Sequence, residues 1–269
     1  VSRPPAGPGD ELAGRPEHEP PAHGDRSWRR FELGAGVMAM FTSRHGGSSA
    51  PPYDSLNLSG AVGDLPAAVS RNRDLLQGAC GDGGQAVTWM RQVHGPAVCE
   101  VGTGPGADVP REVDALFTKV AWLPLGVLVA DCAPVLVADG EARIGGAAHA
   151  GREGLAAGVV PALLSAMTTA GAEPSRMRAV IGPMICGGCY EVPERLGDRV
   201  ARAVPEAACA TRSGSPGIDI RAGIEAQLAA AGVRNVAGDL RCTAESAELY
   251  SYRRDGRTGR FAGVIWLAS

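Results

Sequence analysis

Lysine is nearly missing from this chain of 269 residues: of 26 basic residues only Lys119 is not an arginine. Alanine, glycine and proline are abundant, so the arginine bias reads as GC-rich coding and not as selection for guanidinium chemistry. Charge of one sign is also lacking. The net charge is −3 with acidic and basic residues interspersed, which argues against a nucleic-acid backbone or an anionic membrane as partner. No apolar run is long enough to cross a membrane; the longest, 120–138, is cut by Asp131 and two prolines. The N-terminus carries no apolar core of a secretory signal. Seven cysteines are an odd number without framework spacing, so a disulfide scaffold is not expected and a reducing cytoplasm is.

What remains is an ordinary globular composition, 45% hydrophobic and 20% charged. Residues 1–27 combine prolines, scattered charges and few large apolar side chains, and are expected to form a disordered leader. From Trp28 to Ser269 there is neither repeat nor linker, and one catalytic domain is expected. Short apolar runs bounded by Gly, Pro or Asp predict strands at 37–42, 86–90, 126–129, 134–138, 143–148, 178–181, 233–237 and 261–267. Helices are predicted at 65–78 with Asp64 as N-cap, and at 152–170, 193–204 and 219–231. Strands and helices mix without strict alternation, which predicts an α+β fold with a mixed sheet.

Three short segments each carry one ligand for a soft divalent metal: Gln92-Val93-His94-Gly95, Ala130-Asp131-Cys132-Ala133-Pro134 and Ala147-Ala148-His149-Ala150-Gly151. Two imidazoles and a thiolate leave a fourth position open, the plan of a catalytic zinc site. Asp131-Cys132 interrupts a buried-strand run, a costly place for charge unless a metal offsets it. His149 stands where a strand turns into a helix. Its separation from Cys132 is long enough for one strand to return beside the last. Each residue also has a plainer reading, as a hydrogen-bonded histidine or an inert buried cysteine. Upstream, Thr42-Ser43-Arg44-His45-Gly46-Gly47 forms a polar turn, Asn57 lies in a loop, and Arg71-Asn72-Arg73 sits inside the first helix, where an arginine suits phosphate or carboxylate. Cys186-Gly187-Gly188-Cys189 lacks a partner pair at zinc-ribbon spacing and an accompanying H-x-E, so it reads as structural. Ser251 to Gly256 is a polar turn that borders a pocket or caps a helix.

These segments, in this order, resemble the bacterial laccase-like multicopper polyphenol oxidoreductase family, also called peptidoglycan editing factors and assigned as zinc-dependent purine nucleoside phosphorylases. The resemblance runs from Thr42 to Leu267 and includes Ser55-Leu56-Asn57-Leu58, Val62-Gly63-Asp64, Asn72-Arg73, Asp114-Ala115, Ile181-Gly182-Pro183, Tyr190-Glu191-Val192 and Ser251-Tyr252-Arg253-Arg254-Asp255-Gly256. It implies a four-layer α/β/β/α fold with mixed β-sheets and one zinc ion on His94, Cys132 and His149. It also implies an adenosine deaminase side activity and a phosphate-linked arginine at Arg73; Arg44 and Asn57, from the upstream polar turn and loop, are expected as further substrate contacts. Asp131 is expected to move protons or to orient a ligand histidine. Where the family has Trp-Arg-Gly this chain has Arg152-Glu153-Gly154, so an aromatic wall is expected to be lost and the arginine to point elsewhere. Copper oxidase chemistry is not expected, because a multicopper centre needs many more histidines than the chain supplies. Two rival readings use the same residues. One is an amide hydrolase editing peptidoglycan precursors, with Cys132 as nucleophile and His149 as base. The other is a structural zinc completed by Cys99 or Cys189.

Overall fold

The computed structural model describes residues 28–80, 85–103 and 112–268. The leader expected at 1–27 lies outside them. Two mixed sheets lie face to face and helices cover both outer faces. The five-stranded sheet has the order β1 (Arg29–Glu32), β2 (Val37–Phe41), β13 (Phe261–Leu267), β6 (Leu125–Val129) and β3 (Thr88–Trp89). It is antiparallel except for the β3–β6 pair. The six-stranded sheet has the order β12 (Asn235–Gly238), β9 (Arg178–Ile181), β7 (Ala133–Asp139), β8 (Ile144–Ala150), β5 (Ala115–Thr118) and β4 (Val98–Glu100), with parallel pairs at both edges. A small hairpin, β10 (Ala208–Ala210) and β11 (Pro216–Ile218), stands apart.

Strand periodicity explains the layering. Successive side chains face opposite sides, and in β13 Phe261, Ile265 and Leu267 enter the core between the sheets. Ala262, Val264 and Trp266 of the same strand meet Leu76 of α1 (Pro66–Ala79) on the outer side. In β7, Leu136 and Ala138 join the inter-sheet core. Val135 and Val137 instead pack under α2 (Arg152–Ala157), α3 (Val159–Thr169), α4 (Glu194–Ala203) and α5 (Ile220–Ala230). Both central strands are covered on both faces, which is why they read as continuous apolar runs. The result is the α/β/β/α arrangement of an α+β protein.

Two helix expectations are corrected. The stretch 152–170 is two helices, because Gly158 adopts φ +81 and closes α2 while opening α3. The N-cap of α1 is Leu65, without a side-chain cap bond. Asp64 turns its carboxylate to the hydroxyl of Ser49 and the amide of Asn57 instead. Asp219 does cap α5, accepting the N–H of Ala222 at 3.0 Å. Among the described residues no helix is long and apolar enough to cross a membrane, and all seven cysteines are free thiols.

Candidate metal centre and cavity

The register of β7 on β8 sets Ala133 opposite Ala150 and Pro134 opposite His149, so Cys132, just before β7, comes beside the end of β8. His94 arrives from the loop after β3. It holds φ +64, a conformation uncommon for a side chain with a Cβ. The wholly buried carboxylate of Asp114, just ahead of β5, stabilises it by accepting the backbone N–H groups of Val93, His94 and Gly95 at 3.0, 2.9 and 2.8 Å. The same carboxylate lies 2.8 Å from Nδ1 of the buried His149. That bond fixes the ring and leaves Nε2 to face His94 and Cys132.

The Sγ of Cys132 lies 3.9 Å from Nε2 of His94. The two imidazoles meet edge to face with centroids 4.7 Å apart, and one ligand atom from each of the three residues lies within 4.8 Å of the others. A Cβ on Gly151 would stand 2.8 Å from that Sγ and 3.0 Å from the His94 ring, so only glycine lets the helix start this close. Electrostatics follow from the crowding. Burial alone would raise the Cys132 thiol, but His149 and His94 outweigh it and bring it down to about 6. Burial would lower His149, yet the Cys132 thiolate and Asp114 carry it up to about 9. Asp114 is held below the usual carboxylate range because His149 and three amides outweigh its burial. A soft donor set with one imidazole oriented from behind fits a divalent metal of the zinc kind.

His94, Cys132 and His149 open onto a cavity of about 960 Å³. Arg73 lies on its wall, its Nε donating to the Leu58 carbonyl at 2.9 Å and its guanidinium over the Trp89 ring. Arg260, Arg253 and Arg152 line it as well, with Tyr190 and Tyr252. Burial pulls the pKa of Arg73 and Arg260 below the usual arginine value.

Other expected contacts lie elsewhere. Arg44 spends its guanidinium on Asp54 and the Tyr250 ring, and Asn57 is wholly buried, bonded to Ser59, Asp64 and the Arg260 amide. Neither lines the cavity; both brace the loops behind it. Asp131 does not orient a histidine. Its carboxylate accepts from Thr243, Ser251 and the Arg253 amide at 2.6, 2.7 and 2.6 Å, pinning the C-terminal turn to the β6–β7 loop. Asp114 performs the orienting. Arg152 does not point away: it lines the cavity and donates to the Tyr190 hydroxyl at 2.9 Å, and Tyr190 supplies an aromatic wall. Cys99 bonds to the Glu100 carbonyl and Cys189 belongs to another cluster, so neither completes a fourth ligand here.

Sequence reasoning missed Asp114 as the orienting group, and Arg260 and Tyr190 as wall residues. Asp114-Ala115 and Tyr190-Glu191-Val192 stood among the segments of the resemblance without a role, and for Arg260 the available sign was a lone arginine at the head of an apolar strand.

The family model described as multi-copper polyphenol oxidoreductase laccase matches residues 38–268. A purine nucleoside phosphorylase of Streptomyces coelicolor is 52% identical over 86% of this chain and 96% of its own length. One of Mycobacterium tuberculosis is 46% identical over 86% of this chain and 92% of its own. Among solved structures, YlmD of Geobacillus stearothermophilus superimposes with a TM-score of 0.81 at 33% identity, covering 91% of this chain and 97% of its own. With a family match across nearly all the described residues and relatives this close, the chain belongs to the multi-copper polyphenol oxidoreductase laccase family.

Proposed function

We propose that this chain is a purine nucleoside phosphorylase that cleaves adenosine, inosine or guanosine with phosphate to free base and ribose 1-phosphate. An adenosine deaminase side activity belongs to the same proposal, as does one zinc ion held by His94, Cys132 and His149. The observation that carries it is the meeting of a three-ligand cluster with an arginine-walled, tyrosine-lined cavity large enough for a nucleoside and phosphate. The names of relatives at 46–52% identity support the substrate class. Zinc there would supply Lewis acidity toward an oxygen or nitrogen atom of substrate or water.

The chain's own residues supply the rest. In phosphorolysis a phosphate oxygen forms a bond to ribose C1′ while the bond from C1′ to the base breaks, and the base takes the electron pair. Arg73 and Arg260 hold positive charge against the phosphate. Arg73 is immobilised on Trp89 and Leu58, and Arg260 donates to the Thr258 and Gly259 carbonyls. Prepositioned charge of this kind needs no reorganisation during reaction. Tyr190, fixed by Arg152 and covered by the Arg253 guanidinium at 5.2 Å, lines the cavity and would border a bound purine. Cysteine hydrolysis would use Cys132, His149 and Asp114 but leaves His94 and the arginine wall without a task.

The test is incubation with adenosine, inosine and guanosine, with and without phosphate, followed by chromatography. Phosphate-dependent base, and phosphate-independent inosine from adenosine, are expected from the native chain and from neither Cys132→Ala nor metal-stripped protein. Arg260→Met is expected to raise KM for phosphate by about tenfold, the loss of one charge-assisted contact. Absence of base with all three nucleosides would sink the reading.

A further inference from the structure

We infer that the chain holds a second metal, a structural zinc bound by Cys186, Cys189, Cys242 and Glu245 on the far side of the cavity wall. The four ligand atoms lie within 4.8 Å of one another. In sequence they form two pairs of equal spacing, Cys186-x-x-Cys189 and Cys242-x-x-Glu245. That is the paired-knuckle pattern of zinc ribbons with a carboxylate in the fourth place. The second pair escapes a search for cysteines because its last member is Glu245 and because it lies far along the chain. The fold closes the gap: the 182–192 loop and the 239–246 loop run side by side, bridged at Met184 and Cys242, with the Thr243 N–H on the Met184 carbonyl at 3.0 Å.

Cys242 belongs to the apolar core under the helices and Cys186 and Cys189 pack against it, yet hydrogen-bond donors converge on all three sulfurs. The backbone N–H of Cys186 points at Sγ of Cys242 at 3.3 Å. Arg212, from the β10–β11 hairpin, donates to Sγ of Cys189 at 2.9 Å and pairs with Glu245. Its other arm reaches 3.9 Å from Sγ of Cys186. Three thiolates and a carboxylate carry four negative charges; a divalent ion and Arg212 together offset three. Outer groups that hydrogen-bond the ligands in this way are the ordinary support of a metal site. The Gly-Gly between the first two cysteines is dictated by closeness. A Cβ at Gly187 would lie 2.9 Å from Sγ of Cys209, and one at Gly188 3.2 Å from Arg212. In tetrahedral zinc–thiolate geometry, sulfurs stand about 3.8 Å apart, so the cluster closes on an ion by small side-chain adjustments.

The site would brace the catalytic cavity without touching it. Tyr190 follows Cys189 directly, and Thr243, next to Cys242, donates to Asp131 beside Cys132. One ion would then clamp both the tyrosine wall and the loop that carries the thiolate ligand.

Metal per chain, measured on full-length protein loaded with zinc and freed of excess, tests this independently of nucleoside turnover. Two equivalents are expected in the native chain and one in Cys132→Ala. Cys189→Ser is expected to keep one, and the double variant none. Added to Cys132→Ala, cobalt(II) is expected to give an intense near-ultraviolet thiolate band and a tetrahedral visible spectrum. If Cys189→Ser fails to fold, Glu245→Gln, a surface change, is expected to weaken zinc retention against a chelator by about tenfold. Zinc is also expected to protect Cys186, Cys189 and Cys242 of the native chain from iodoacetamide. One equivalent that vanishes in Cys132→Ala and survives Cys189→Ser would overturn the inference and leave the first site standing. One equivalent with the opposite dependence would support this site and remove the first. Recovery of a metal-free disulfide among the three cysteines from freshly purified protein would also overturn it.

Discussion

Asp114 and Asp139 stand at opposite ends of the six-stranded sheet, and each is a carboxylate with no exposure to solvent. Asp139 closes β7. It accepts the backbone N–H groups of Glu141, Ala142 and Glu173 and a guanidinium fork from Arg176. Asp114 leads into β5 and accepts three consecutive amides and an imidazole. In both, burial would raise the carboxyl, and donors outweigh it and hold it below the usual range. The partner makes the difference. Arg176 is permanently charged, gives its remaining Nη1 to Glu173 and lies beside Glu141 at the surface, so that end is a clamp. His149 has a second nitrogen, which faces the cavity, so the same buried charge is handed on to a ligand set. One architectural device, a carboxylate plugging the end of a strand, serves stability at one end and chemistry at the other.

The strongest break in that comparison is Asp114→Asn. Asparagine offers one acceptor oxygen and turns an amide N–H either toward the donors of Val93 and Gly95 or toward those of His94 and His149. Phosphorolysis and zinc affinity are both expected to fall by about 10–100-fold, the usual consequence of losing the partner of a ligand histidine. Stability is expected to fall by about 2 kcal/mol, because buried donors lose their acceptor. Zinc titration, kcat/KM and urea unfolding on one preparation read all three. Unchanged zinc affinity would mean that Asp114 is only a clamp, and the contrast would collapse.

Asp139→Asn is the matched change at the other end. It is expected to lower stability by about the same 2 kcal/mol and to leave kcat/KM and zinc content within about twofold of native, because no contact couples it to the ligands. A tenfold loss of turnover would show that the sheet transmits strain from end to end.

The two ends were unequally legible in the sequence. Strands buried on both faces, such as β7, β8 and β13, appear as unbroken apolar runs and are visible without tertiary information. β5 is only Ala115–Thr118, and β1, β4, β10 and β11 are three or four residues long, β1 carrying two arginines and β11 a proline and a glycine, so their pairing is decided by neighbours and not by local pattern. The break at Gly158 hides in an alanine-rich helical stretch. Of the candidate site, His94, Cys132 and His149 stand out by residue type, because few side chains bind soft metals. Their convergence is a matter of the β7–β8 register and of Asp114. A single aspartate ahead of a strand has no periodic signature, and nothing local tells Asp114 from Asp139. Cys186 and Cys189 illustrate the same limit, since their partners lie on a different loop.

The smallest effect separates the two carboxylates by acid. The folded carboxyl of Asp139 sits below its ordinary value near 3.9, so its stabilisation is complete above that value and is lost as pH falls through the lower folded one. Asparagine at 139 has no such titration, whereas Asp114 titrates in both proteins and cancels. The difference in stability between native chain and Asp139→Asn is therefore expected to be flat from about pH 8 to about pH 5 and to narrow below about pH 4. Urea midpoints measured across that range, on metal-loaded protein above pH 5 and on stripped protein throughout, read it directly. A gap that stays constant into strong acid would mean that Asp139 is not held ionised by Arg176 and its amides. Its contribution would then be packing alone, and the likeness between the two ends would rest on burial and not on charge.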